Sequence, residues 1–200
     1  MKQRVALVLM GAWLAGTVCT SVVATENFYT IDRLLAGSHN AAFSATVQQL
    51  GSPQARDLLR YLSSELNRLY FQLWNVAQLA IGVVLLWLLA GSRKRDPAYA
   101  HTAEDPDDVR KVGPFGPAAW GVVAMLASVL LMLVWLTPAI VSLGRSLDFV
   151  PRDPSPPGMQ RFWLLHAAYT SLEMIKLDAG IVVTMWIARS SSPARSGFPA

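Results

Sequence analysis

The sequence is poor in cysteine, histidine and charge. One cysteine among 200 residues, Cys19, rules out an internal disulfide and any cysteine-based zinc or iron–sulfur centre within one chain. Cys19 lies in an apolar run, so an inert, buried thiol is expected, and "GTVC" puts Val18 where a lipoprotein signal needs a small residue. Three histidines are present, and His39 and His101 fall in connecting segments. Only His166 lies near an apolar segment, so paired-histidine haem ligation would need a ligand from a partner chain. His166 with Glu173 has the vocabulary of general acid–base chemistry. No Ser–His–Asp set, HExxH or carboxylate–histidine metal pattern supports an enzyme, and no cofactor or metal is expected. The acidic "EDPDD" lacks the glycine and terminal glutamate of a calcium loop. No internal repeat is seen.

Charged residues make up 15% of the chain, against about 25% in an ordinary soluble protein. The deficit is concentrated in long apolar runs, which indicates an integral membrane protein. The net charge of +4 does not point to nucleic acid, because the basic residues flank the apolar runs instead of clustering on a soluble face.

Four runs are long enough to cross a bilayer as helices, since about 20 residues span a 30 Å hydrocarbon core. They are Val5–Ala24, Tyr70–Ala90, Trp120–Val141 and Phe162–Ala188. The first run is long for a signal-peptide core, and "ATENFYTIDRLL" continues it in helical register, so a retained helix is expected. Lys2 and Arg4 precede the first run, "SRKR" follows the second, Arg110 and Lys111 precede the third, and Arg189 follows the fourth. These fall on one side if both termini are cytoplasmic. Seven arginines lie on the other side, most of them in the longer segment from Thr25 to Leu69, where the charge rule is weaker.

The expected fold is therefore all-α: one domain, an integral membrane four-helix bundle with N-in/C-in orientation in a bacterial cytoplasmic membrane. Residues 25–69 form an outer, amphipathic helical loop, in which Ser52 is a fitting N-cap, Pro53 takes the first helical position and Leu58, Leu62, Leu66 and Leu69 recur at helical spacing. Helix two would then start outside the membrane or bend at its surface. Residues 91–116 form a cytoplasmic loop rich in Pro, Gly and mixed charge, which reads as a solvated linker.

The fourth run holds the chemistry. In "HAAYTSLEMIKLDAG", His166, Tyr169, Glu173, Lys176, Gly180 and Thr184 fall within about 80° of one another on a helix. Asp178 points elsewhere. A charged side chain at a helix centre costs about 2.5–3.5 kcal/mol on insertion scales, so these groups should pair, neutralise or face water. Glu173 and Lys176 are spaced to pair along the helix. Gln72, Asn75 and Gln78 give matching polarity on helix two, Thr17, Thr20 and Ser21 do so on helix one, and Gly121, Ala124 and Ser128 form a small-residue face on helix three. Most of this polarity falls in the outer half of the spans. It implies a polar pocket of His166, Tyr169, Glu173, Lys176, Asp178, Gln72, Asn75 and Gln78, open outward and closed inside by hydrocarbon. Interhelical hydrogen bonding that merely joins helices is the preferred account of the amides and hydroxyls, and a structural role is preferred for His166 taken alone.

"FWLLHAAYTSLEMIKLDAGIVV" resembles the last helix of a family of small four-helix membrane proteins of unknown function. That family includes bacterial proteins and a vertebrate transmembrane protein associated with platinum-drug resistance. Phe162, Leu165, His166, Thr170 or Ser171, Leu172 and Glu173 fit its pattern of an aromatic, Leu-His, a small or hydroxyl residue, then Leu with Glu or Asn. "GAWLAGTVCTSVVATENFYTIDRLL" is similar to its first helix, departing where Thr25 stands in place of a frequent proline. Lys176 and Asp178 lie outside the pattern. The resemblance implies a four-helix fold and no catalytic residue. Two roles follow from the sequence: a non-enzymatic bundle that binds a membrane-protein partner or its own copies, or a bundle that binds or transports a small ligand, cation or proton at Glu173 and Lys176.

Overall fold

The computed structural model describes residues 1–93 and 116–189. The cytoplasmic-loop reading, with "EDPDD", His101, Arg110 and Lys111, falls outside them. Every element among the described residues is helical. In chain order they are α1 (Lys2–Ala36), α2 (Ala41–Leu50), α3 (Ser52–Arg93), α4 (Pro117–Leu131), α5 (Thr137–Ser146) and α6 (Met159–Arg189). A π-helical turn, Met132–Leu136, joins α4 to α5.

The apolar runs are pieces of longer helices. α1 continues beyond Ala24 to Ala36, as the register of "ATENFYTIDRLL" implies. α3 begins at Ser52 and runs for 42 residues without a break, so the amphipathic segment and the second apolar run are one helix. α2 is a separate helix inside the outer segment. Asn40 opens it by accepting from the Phe43 N–H at 3.0 Å, and Gly51 ends it at φ 82°, a left-handed conformation that glycine adopts without a Cβ penalty. The π turn has a local cause. Pro138 has no N–H and its ring crowds the carbonyl one turn back. The backbone widens there, and the Thr137 N–H donates to the Met132 carbonyl.

Among the described residues three helices are long and apolar enough to cross a membrane: Lys2–Ala36, Ser52–Ala90 and Pro117–Ser146. α6, at 31 residues, has the length but not the apolarity, because Glu173, Lys176 and Asp178 interrupt it. The surface is largely apolar. Val83, Trp87, Val134, Trp135, Leu164 and Ile175 are each more than half exposed, whereas Asn75 and Gln78 are fully buried. Such an inverted pattern suits hydrocarbon outside the protein, not water. It also corrects the expectation for Cys19, which is exposed, beside exposed Val18 and Val22. Apolar neighbours indicate burial only when the solvent is water.

The chain forms two compact units. Of the described residues, unit 1 comprises 1–15, 78–93, 116–129 and 174–189, and unit 2 comprises 16–77 and 130–173. Unit 1 has a core of Met10, Trp13, Leu85, Val122, Met125 and Val183. Its helices approach closely at glycines. A Cβ at Gly82 would meet Leu126 at 2.4 Å, and one at Gly121 would meet Val183 at 2.3 Å. Of the small-residue face expected on the third run, Gly121 makes this contact, while Ala124 is exposed.

In unit 2 a polar ladder sets α1 against α3. Ser63 Oγ donates to the Asn27 carbonyl at 3.2 Å, Asn67 Nδ2 to the Ala24 carbonyl at 2.9 Å, and Trp74 Nε1 to Thr17 Oγ1 at 3.2 Å. As α3 advances from 63 to 74, α1 retreats from 27 to 17, so the two run antiparallel. Gly16 makes room for the Trp74 ring, which a Cβ there would meet at 2.1 Å. Met132 and Leu136 of the π turn and Tyr169 of α6 form a hydrophobic core in this unit, with Phe71, Ile140, Leu165 and Leu172 packed around them.

A candidate ligand cavity

Unit 2 contains a cavity of about 360 Å³ between α1, α3, α5 and α6. Its volume falls near the lower end of the roughly 300–1,000 Å³ typical of small-molecule sites. The helix geometry grades the lining from charged to apolar. On α3 the wall runs from Arg60 through Asn67 and Arg68 to Phe71. At 1.5 Å per residue, Arg60 and Phe71 are about 16 Å apart along the axis. α5 contributes Thr137, Ile140 and Val141, and α6 contributes Phe162, Trp163, His166 and Tyr169.

Aromatic rings shape the inner end. Phe71 meets Tyr169 edge to face, with centroids 5.4 Å apart. The His166 ring stacks on Phe162 at 6.0 Å and meets Trp163 edge-on at 6.1 Å. Polar atoms at this end are left over. Tyr169 is 6% exposed, and its hydroxyl has no hydrogen-bond partner. The Thr137 hydroxyl, on the same cavity wall, is also buried without one. Asn75 lies beside the Tyr169 hydroxyl, yet neither its amide nor that hydroxyl completes a hydrogen bond. Buried polar groups are nearly always paired, so an orphaned hydroxyl on a cavity wall calls for a bound group or a water.

Charge is distributed unevenly at the other end. Arg68 is held by Glu65 on its own helix and by Asp148 at 3.1 Å, and Arg145 reaches Glu65 at 3.4 Å. The Arg145 hydrogen bond, reinforced by Arg68, holds the Glu65 carboxyl below its ordinary value. Arg60 and Arg152 also line the cavity, and neither forms an ion pair among the described residues. Burial and then the neighbouring Arg152 and Arg56 cations lower the Arg60 pKa, only partly opposed by Asp57 and Asp32.

The residues singled out in the sequence are divided between the two units. In unit 2, His166 and Tyr169 stand on the cavity wall, Asn75 and Glu173 are buried, and Gln72 is exposed. In unit 1, Lys176 is 2% exposed and donates through Nζ to Gln78 Oε1 at 2.6 Å, while Asp178 is exposed. Sequence reading passed over Arg60, Asp148 and Arg152. The arginines gathered in residues 25–69 and 142–161 were the available signal. Among the described residues no group of histidine, cysteine and carboxylate side chains is arranged to hold a metal.

The chain matches no protein-family model, no curated protein and no solved structure.

Proposed function

We propose that the protein is a non-enzymatic, four-span integral membrane protein of a bacterial cytoplasmic membrane, with both termini inside, that holds a small ligand in the unit 2 cavity. One observation carries the ligand reading: a buried, unpartnered Tyr169 hydroxyl on the wall of a 360 Å³ cavity lined mainly by aromatic and aliphatic side chains. A structural bundle gains nothing from such a void, because each unfilled volume forfeits packing and each orphaned hydroxyl forfeits a hydrogen bond. The four-span reading is supported by three apolar helices plus an α6 of spanning length. The likeness to the small four-helix family agrees with it and adds no activity.

Native mass spectrometry of protein released from its own membrane in mild detergent tests the ligand reading. The expected result is a reproducible small adduct at one per chain that disappears in Ile140→Trp, which fills the cavity. A wild type free of adduct, or an adduct indifferent to Ile140→Trp, would remove the reading.

A second role, association with another membrane chain or a second copy, is favoured by Asp178. This exposed carboxyl shares its helix face with exposed Ile175 and Val182. An ionisable group facing lipid is costly, and a helix that offers it a donor relieves that cost.

A further inference from the structure

The chemistry of the cavity wall narrows the ligand. The inference rests on the cavity reading above and adds the class of molecule. Two features of the lining are unequal at its two ends. At one end stand two cations, Arg60 and Arg152, without carboxylate partners. The third arginine on the wall, Arg68, is already engaged by Glu65 and Asp148, so its charge is largely used within the protein. At the other end, about 16 Å along α3, the wall is Phe71, Ile140 and Tyr169, and Phe162 stands between the two ends, near Gly144 and Arg68. A small inorganic anion would satisfy the arginines and leave the apolar end empty. A neutral hydrocarbon would fill the apolar end and leave two guanidinium groups without an ion-pair partner, only partly offset by Asp57 and Asp32 near Arg60. One molecule that satisfies both ends has a charged head and an apolar body.

We propose that the cavity takes an anionic amphiphile with a single apolar chain, its phosphate or carboxylate head held between Arg60 and Arg152 and its chain lying against Phe71, Ile140 and Phe162. Guanidinium groups suit either head, because their planar forks match the oxygens of phosphate and carboxylate alike. A cavity near the small end of ligand sites suits one chain in preference to two. The Tyr169 and Thr137 hydroxyls at the inner end remain available to an oxygen on the chain or to one trapped water.

Equilibrium binding to the full-length protein in nanodiscs of zwitterionic lipid, with empty nanodiscs as the blank, tests this. The probes are dodecyl phosphate, dodecanoate, dodecanol, dodecyltrimethylammonium and inorganic phosphate. We expect dodecyl phosphate or dodecanoate to saturate at one per chain, and the tighter of the two identifies the head. Dodecanol and the ammonium probe should bind at least tenfold more weakly. The double variant Arg60→Gln/Arg152→Gln should lose at least tenfold for the anionic probes and little for dodecanol, while Arg60→Lys/Arg152→Lys retains most of the affinity. An unchanged thermal midpoint in both double variants shows that folding is intact. Equal binding of dodecanol and dodecyl phosphate, both abolished by Ile140→Trp, would overturn the anionic head and leave the cavity reading standing. Inorganic phosphate binding as tightly as dodecyl phosphate would overturn the chain. If no probe saturates while the native adduct persists, the ligand class alone is wrong. If the adduct is absent too, both readings fall.

Discussion

Lys176 shows what a single residue demands inside hydrocarbon. The residue is 2% exposed and its ammonium donates to Gln78 Oε1 at 2.6 Å. A charge in a low-dielectric site is tolerable only when its protons find acceptors. Gln78→Leu removes one of those acceptors without disturbing the helix. Unfolding in detergent should show a loss of about 1–3 kcal/mol for that change. Adding Gln78→Leu to Lys176→Met should cost clearly less than adding it to the wild type, because the ammonium that needs the acceptor is then gone. An equal cost in both backgrounds would mean that Gln78 contributes through packing and not through its bond to the lysine. The sequence made Lys176 conspicuous and Gln78 plausible, because intramembrane polar residues are few. It put both in one polar pocket but could not single out the bond between them, since 98 positions separate the two. The same limit hid Arg60 and Arg152, one on α3 and the other in the segment before α6. Each alone resembles an ordinary surface arginine. Exposure was misread for a different reason: Cys19 and Gln72 both face outward, and residue type does not rank burial when the surroundings are lipid.

Helices were the most legible level. Their existence follows from apolar length, and the start of α3 at Ser52 followed from a serine and a proline in the right order. α2 was not separated from the outer segment, because ten residues of mixed polarity give too short a period. Where α3 leaves the apolar run it is fastened by charge. Glu65 and Arg68 on α3 meet Arg145 at the end of α5 and Asp148 just beyond it. This cluster has a pH signature. The Glu65 carboxyl is held below its ordinary value, first by the Arg145 hydrogen bond and then by Arg68. A lowered carboxyl pKa contributes stability that is complete above the unfolded value, about 4.3, and is lost as pH falls through the lower folded value. Thermal midpoints measured from pH 7 to pH 3 should therefore stay level to about pH 5 and fall below about pH 4. Glu65→Gln should lower the neutral plateau and flatten the acid slope. An identical acid slope in that variant would assign the loss to other carboxylates, Asp148 first among them.

At the scale of the whole molecule the open quantity is the number of crossings. Three helices qualify on apolarity, and α6 carries Glu173, Lys176 and Asp178 where a lone helix would resist insertion. An odd number of crossings puts the termini on opposite sides, and an even number puts them on the same side. The Lys and Arg flanks favour the even count. Gln78 favours it as well, because an α6 that enters beside α3 finds an acceptor for its lysine already in place. The measurement is labelling of intact cells by a membrane-impermeant maleimide. Exposed Cys19 is first removed as Cys19→Ser, and single cysteines are then placed at His39 or in a C-terminal tag. We expect His39→Cys to react from outside and the tag cysteine to react only after lysis. Reaction of both in intact cells would leave three crossings and place α6 outside the bilayer. In Gln78→Leu, a fraction of the tags should become reactive from outside, because α6 then enters the bilayer with one acceptor fewer. Tags that stay fully protected in that variant would show that α6 inserts on its own hydrophobicity, and that the Lys176–Gln78 bond forms afterwards without directing the crossing.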